Sequence, residues 1–241
     1  MQAYRILQSQ GLGSRRDCRD LIQQQHVLCN GVLITDPEQD FACENLSFSV
    51  AGEPYRFRTN AYLALNKPAG YECSRQPRDH LSIFSLLPDA LLKRGVQCVG
   101  RLDQDTTGLL LFSDDGGFIH TQTSPKKQIS KTYQVTCKHP FPPELIEKLL
   151  AGVQLHDEPA PLQARQCVAL SEQCLQLVIN EGKYHQVKRM IAAAGNRVES
   201  LHRSAIGGYV LPDDLSPGDW KWLETDDLAA LKFPPVLSTQ S

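Results

Sequence analysis

The chain has 241 residues, 41% apolar and 22% charged, which suits one large or two modest domains and excludes a disordered chain. A formal charge of −2 and a pI near 6.4 give no whole-molecule sign of a nucleic-acid partner. No apolar stretch approaches the ~18 residues of a membrane span, and the N-terminal MQAYRILQSQ has no apolar export core. A cytoplasmic monomer with no membrane partner is therefore expected. The eight cysteines form no CxxC pair, so they read as reduced and mostly buried. The seven histidines show no HxxxH spacing and no grouping with cysteine, so no metal site is indicated.

Tyr4, Ile6 and Leu7 mark a short amphipathic helix that Gly11 and Gly13 end. Ser14 can N-cap a second helix, 15–25, that buries Cys18, Leu21 and Ile22. Two short apolar runs, 27–29 and 32–34, flank Asn30-Gly31, the strongest short hairpin signal. Arg15, Arg16 and Arg19 can share an exposed face of the second helix. A helix pair with arginines followed by a tight hairpin resembles the S4 RNA-binding domain. The alternative is a small helical cap whose arginines pair with Asp17 and Asp20. Residues 1–60 carry six bases and seven acids, so any grip on RNA here is local.

The polar stretch 52–60 reads as a linker, placing the domains at 1–58 and 59–241. Beyond it Tyr62-Leu63-Ala64-Leu65 opens a new core, and Pro68 must end or edge that strand. Further strands are expected at 97–100, 108–112, 131–137, 167–170, 175–179 and 197–206. Helices are expected at 118–121, 143–150 and 185–194, the last closed by Gly195-Asn196. Because these do not alternate regularly, the expected fold class is α+β, with a largely antiparallel mixed sheet.

Charge is segregated along the chain. Residues 125–138 hold four lysines and no acid, and 182–203 hold five bases against Glu199 alone. The last 32 residues hold six acids and two lysines. A basic face on a near-neutral protein follows.

The stretch GRLDQDTTGLLLF, residues 100–112, is the most informative in the chain. A polar loop carrying Asp103 runs into a wholly apolar run, Leu109 to Phe112, which is a buried-strand signal. An acid on a loop anchored by a buried strand can be held rigidly for chemistry. Asp103 is therefore the leading catalytic candidate. Buried away from water it would take up a proton unless a cation or hydrogen-bond donors held it charged, and the basic segment around Lys188 and Arg189 is the obvious supplier.

Four segments occur in the order seen in pseudouridine synthases: Asn66-Lys67-Pro68-Ala69-Gly70, the 100–112 block, Lys131-Thr132-Tyr133, and 181–190, EGKYHQVKRM. With the S4-like start and the trailing LHRSAIGG at 201–208, the chain resembles the small-subunit (16S) ribosomal RNA pseudouridine synthase A family over nearly its whole length. That resemblance implies an isomerase acting on one uridine, position 516, of 16S ribosomal RNA or its assembly particle, with Tyr184-His185 favouring this branch over large-subunit relatives. It implies Lys188 as the basic partner of the catalytic Asp103, with Arg189 as runner-up. It also implies Tyr133 as the residue packed on the uracil, with possible general-base work, or else a core tyrosine. Arg101 would enter the RNA stack or meet phosphate once the uridine is flipped out, unless it pairs with Asp105. Lys67-Pro68 would shape the pocket wall, unless it is a plain strand-ending turn, and Lys67 and Arg189 would count with Arg101 among the residues that contact RNA.

The isomerisation changes no redox state and imports no group, so no cofactor is called for, in line with the absence of GxGxxG or a P-loop. Asp114-Asp115 reads as a solvated turn before Gly116-Gly117, and Thr106 and Thr107 are expected to fix the Asp103 loop through side-chain-to-backbone hydrogen bonds. Other readings are a catalytically silent RNA-binding or ribosome-assembly factor, and an N-glycoside hydrolase using Asp103. The hydrolase would leave the S4-like start unexplained.

Overall fold

The computed structural model describes residues 1–235. The chain forms two compact units, 1–61 with 87–97, and 62–86 with 98 onward.

In the first unit, helix α1 (Ala3–Ser9) and helix α2 (Arg15–Gln23) pack together. Ser14 caps α2 as the sequence requires. Its hydroxyl accepts from the Asp17 amide at 3.2 Å, and the Asp17 carboxylate accepts from the Ser14 amide at 2.8 Å, which satisfies two orphan donors reciprocally. Strands β1 (Val27–Cys29) and β2 (Val32–Leu33) form the hairpin. Asn30 and Gly31 both take positive φ, 48° and 80°, as a tight turn between right-twisted strands demands. Strands β3 (Ser47–Val50) and β4 (Glu53–Arg56) complete a sheet of order β2-β1-β3-β4. The reading of 52–60 as linker is thus corrected, since 53–56 is an edge strand. Its polar composition reflects an edge that faces water, and Pro54 is tolerated there because an edge strand need not donate on both sides. A core of Ile6, Leu7, Cys18, Ile22, Val27, Ile34 and Phe48 binds helices to sheet. Helix α3 (Asp89–Arg94), which carried no sequence expectation, joins this unit: Arg94 donates to the Gln10 amide oxygen at 2.8 Å and to the Arg58 carbonyl at 3.1 Å.

The second unit is built on β5 (Tyr62–Lys67), a small parallel pair β6 (Tyr71–Glu72) and β7 (Leu81–Ser82), β8 (Gln97–Val99) and β9 (Thr107–Ser113). Helix α4 (Gly116–Thr123) follows, then β10 (Lys131–Cys137), α5 (Pro143–Ala151), β11 (Gln166–Ala169), β12 (Cys174–Ile179) and α6 (Gln186–Ala193). The chain continues through β13 (Val198–Ile206), β14 (Tyr209–Val210), β15 (Trp220–Trp222) and α7 (Thr225–Ala230). The main sheet runs β11-β12-β10-β13-β9-β5-β15, with β8 on β9 and β14 on β13. All its pairings along that path are antiparallel except β13 with β9, as expected for an α+β fold.

Residues 109–112 are fully buried because both faces of β9 are covered. Leu109 and Leu111 join a core with Ala64, Val99, Ile206 and Leu231, while Phe112 meets Phe84 edge-on at 5.5 Å. Each such side chain contributes about 1.5–3 kcal/mol of burial, so the strand anchors the loop before it. Gly108 is dictated by the parallel neighbour. A Cβ there would lie 2.3 Å from the Arg203 carbonyl oxygen, and its φ is +98°.

Candidate active site

Asp103 lies on the 100–106 loop between β8 and β9, at a cleft of about 500 Å3 within the second unit. The loop is strapped from below. Lys67, wholly buried at the end of β5, donates through Nζ to the carbonyls of Pro68, Gln104 and Thr106 at 3.0, 3.0 and 2.9 Å. These three bonds exhaust the ammonium's donors. The Gly70 amide donates to the Gln104 carbonyl at 2.8 Å, and the Leu102 amide to the Cys73 sulfur at 3.4 Å. Burial pulls the Lys67 pKa down, opposed by neighbouring Cys73, Asp105 and Asp103.

Two expectations are corrected here. Lys67 does not reach the cleft as an RNA contact, because all its hydrogens are spent on backbone. The threonine expectation fails at Thr106, whose Oγ1 is buried without a partner, but holds at Thr107, whose Oγ1 donates to the Leu201 carbonyl at 3.5 Å and meets His202 Nδ1 at 2.9 Å. At Thr106 the lysine does that work, through the carbonyl of that residue.

Asp103 faces α6. Lys188 Nζ stands 3.1 Å from Asp103 Oδ2 and also grips Asp105, at 2.7 Å from Oδ1 and 2.9 Å from Oδ2. Burial favours the neutral amine, yet the two carboxylates outweigh it and raise the Lys188 pKa. Burial likewise pushes Asp105 up, but the Lys188 hydrogen bond and charge win and hold it below the usual range. Pairs this open to solvent contribute about 1 kcal/mol or less to folding. Their consequence is the local charge at Asp103 rather than stability.

His185 was not singled out from sequence as a neighbour of the acid. It heads α6 in the left-handed conformation, φ 47°, with Nε2 3.3 Å from Asp103 Oδ1. A non-glycine residue there stores strain on the order of 1–3 kcal/mol, a cost that clusters at functional sites.

Opposite lies β10. Tyr133 lines the cleft with 8% of its surface exposed, and the sheet sets it beside Arg203. Arg203 is buried and donates through Nε to the Leu109 carbonyl at 2.7 Å, leaving Nη2 without a partner. Lys131, also at the cleft, donates to the Asn180 carbonyl at 3.3 Å, and burial with nearby Arg203 pushes its pKa down to about 8. Arg203 had a signal in the sequence that passed unused, a lone base at the alternate positions of β13 otherwise filled by Leu201 and Ala205.

Arg101 is exposed on the cleft rim, and Asp105 is engaged by Lys188 instead. Arg189 is turned away from Asp103: it pairs with Asp157 and donates to the Tyr184 carbonyl at 3.0 Å. Asp115 is no plain solvated turn residue, since it caps α4 and accepts from the Tyr62 hydroxyl at 2.7 Å. In the first unit Arg15 and Arg16 are exposed, while Arg19 is half-buried and tied to Glu38. Arg16 leans on Asp20 at 3.9 Å, and Arg15 and Arg19 lie over the Tyr4 ring at 5.2 and 4.6 Å.

The cleft thus brings together Asp103, the Lys188 ammonium against it, Tyr133 opposite and the exposed Arg101 on its rim. The RNA pseudouridylate synthase model matches residues 61–193, and the S4 domain model matches residues 5–40. The chain belongs to the RNA pseudouridylate synthase family. Among the synthase's relatives, ribosomal small subunit pseudouridine synthase A of Yersinia pestis is 40% identical over 209 residues, 86% of each chain. The Escherichia coli K12 protein of that name is 42% identical over 170 residues, 70% of this chain and 73% of its own. A crystal structure of a pseudouridylate synthase superposes with a TM-score of 0.68 at 33% identity, covering 96% of this synthase and 99% of that one. Among the described residues no helix is long and apolar enough to cross a membrane.

Proposed function

We propose that this synthase converts one uridine of small-subunit ribosomal RNA, position 516 of the 16S molecule, to pseudouridine. The observation that carries the reading is the Asp103–Lys188 pair at 3.1 Å on the wall of an open cleft, in a chain whose relatives bear a small-subunit name.

The reaction breaks the bond from ribose C1′ to uracil N1 and rebuilds it from C1′ to C5. The C5 hydrogen leaves and N1 gains one, so atoms and electrons balance without a co-reactant. The carboxylate at the ribose–uracil junction is Asp103, acting as nucleophile or base, with the Lys188 ammonium 3.1 Å away as its counter-charge. Tyr133 packs on the uracil and stands ready to take a proton. The uridine must leave the stack to reach the cleft, and Arg101 on the rim enters the gap or meets phosphate. The division of labour is 1–58 for RNA docking through Arg15, Arg16 and Arg19, and 59–241 for chemistry. The protein works as a cytoplasmic monomer.

Incubating the protein with 16S RNA, naked or in its precursor particle, and mapping pseudouridine tests this. Modification at position 516 is expected. Asp103→Asn should abolish it while RNA affinity stays within about five-fold, because the isosteric amide keeps the surface and removes the reactive charge. Activity retained by that variant refutes the catalytic assignment. No modification with the unaltered protein favours the silent assembly factor, and release of free uracil favours the hydrolase.

A further inference from the structure

Tyr184 lines the same cleft yet leaves 73% of its surface to solvent. An exposed aromatic alone says little, but this one is mounted. Its ring stacks on His185 with 3.8 Å between centroids and 19° between planes, and His185 in turn reaches Asp103 Oδ1 at 3.3 Å. The Tyr184 carbonyl is held by Arg189 at 3.0 Å. One ring face is therefore covered by imidazole and the other is open. The nearby cations are already partly spent, Lys183 on Glu158, Arg189 on Asp157 and Lys188 on both loop carboxylates. Besides the exposed Arg101, what this rim offers is an aromatic face, one ring away from the acid.

We propose that the open face of Tyr184 is a stacking platform for the nucleobase next to the flipped uridine, which it positions against Asp103. This rests on the RNA-isomerase reading above. When a uridine leaves the stack, its neighbour loses a π partner and exposes an apolar face to water. A ring within one residue of the site replaces that partner and holds the strand open. A stack of this kind tolerates any base and adds no ionic contact.

The test uses the full chain and 16S RNA. Tyr184→Ala should raise KM roughly ten-fold, with kcat changed less, while Tyr184→Phe and Tyr184→Trp stay within about two-fold of the parent. The salt dependence of binding should not move, since no phosphate contact is removed. In parallel, RNA carrying 5-iodouridine at either nucleotide flanking the target is irradiated with the Asp103→Asn protein. The adduct is expected on the tryptic peptide Tyr184–Lys188, and Tyr184→Ala should remove it. If Tyr184→Ala leaves KM unchanged, or Tyr184→Phe is as impaired as Tyr184→Ala, or the adduct maps elsewhere, the platform is refuted. The parent protein is assayed first on unlabelled RNA. If it forms no pseudouridine, the functional reading falls and takes this inference with it; if it does, a negative result falls on Tyr184 alone.

Discussion

Replacing Lys67 by Met keeps the apolar stem and deletes the ammonium that ties two carbonyls of the Asp103 loop, Gln104 and Thr106, to that of Pro68. Each orphaned carbonyl costs about 1–3 kcal/mol. The variant also escapes the cost of burying a charge, several kcal/mol in general, and the downward pull of burial on the Lys67 pKa shows that this cost is felt. Taking the low end for carbonyls that can relax toward the cleft and subtracting part of the burial cost leaves a net loss of about 2–4 kcal/mol. For a domain of this size that lowers Tm by roughly 5–15 °C. Catalysis should suffer beyond stability, because a misplacement of about 1 Å at a reacting group can cost 100-fold. The assay pairs thermal unfolding with single-turnover pseudouridine formation well below Tm, using Asp103→Asn as the reference that loses activity but keeps Tm. Unchanged Tm and rate in Lys67→Met would refute the strap.

Lys131 has its pKa lowered from 10.5 to about 8, so the cleft loses a positive charge as pH rises through that value. RNA affinity should fall between about pH 7.5 and 9 in the parent, and Lys131→Arg, which stays charged, should flatten the profile; identical profiles would remove Lys131 from the RNA contact. Between the folded and unfolded values the unfolded chain binds the extra proton, so this group's share of stability rises with pH there, the opposite sign to the affinity change. Gly108→Ala forces a Cβ within 2.3 Å of the Arg203 carbonyl at φ +98° and should cost at least about 2 kcal/mol, read as a drop in the denaturant midpoint at unchanged slope. Arg15→Ala with Arg16→Ala should weaken RNA binding and flatten its salt dependence by up to about two counterions. An unmoved slope would mean the first unit is not the RNA arm.

Local rules were enough wherever the signal lay within a few residues. Ser14 before a helix, Asn30-Gly31 between apolar pairs and the Leu109–Phe112 run each named an element the fold contains, because caps, two-residue turns and fully buried strands are decided by near neighbours. Short or one-sided elements escaped, β3, β6, β7, β14, β15 and α7 as well as the edge strand 53–56 and helix α3. The edge strand is paired on one side only and stays polar, and α3 is six residues whose burial depends on Gln10 and Arg58, far away in sequence.

By itself the sequence placed the acid at 103, the basic stretch around 188 and the motif order that marks the family, since short motifs are read along the chain without the fold. Only the tertiary structure decided which cation serves the acid. Lys188 and Arg189 are adjacent, but α6 turns about 100° per residue, sending the lysine to Asp103 and the arginine to Asp157. It also decided that Lys67 is a strap and not an RNA contact. A lysine at the end of a strand can point to solvent or to backbone, and the carbonyls that claim it come from a loop 37 and 39 residues later in the chain.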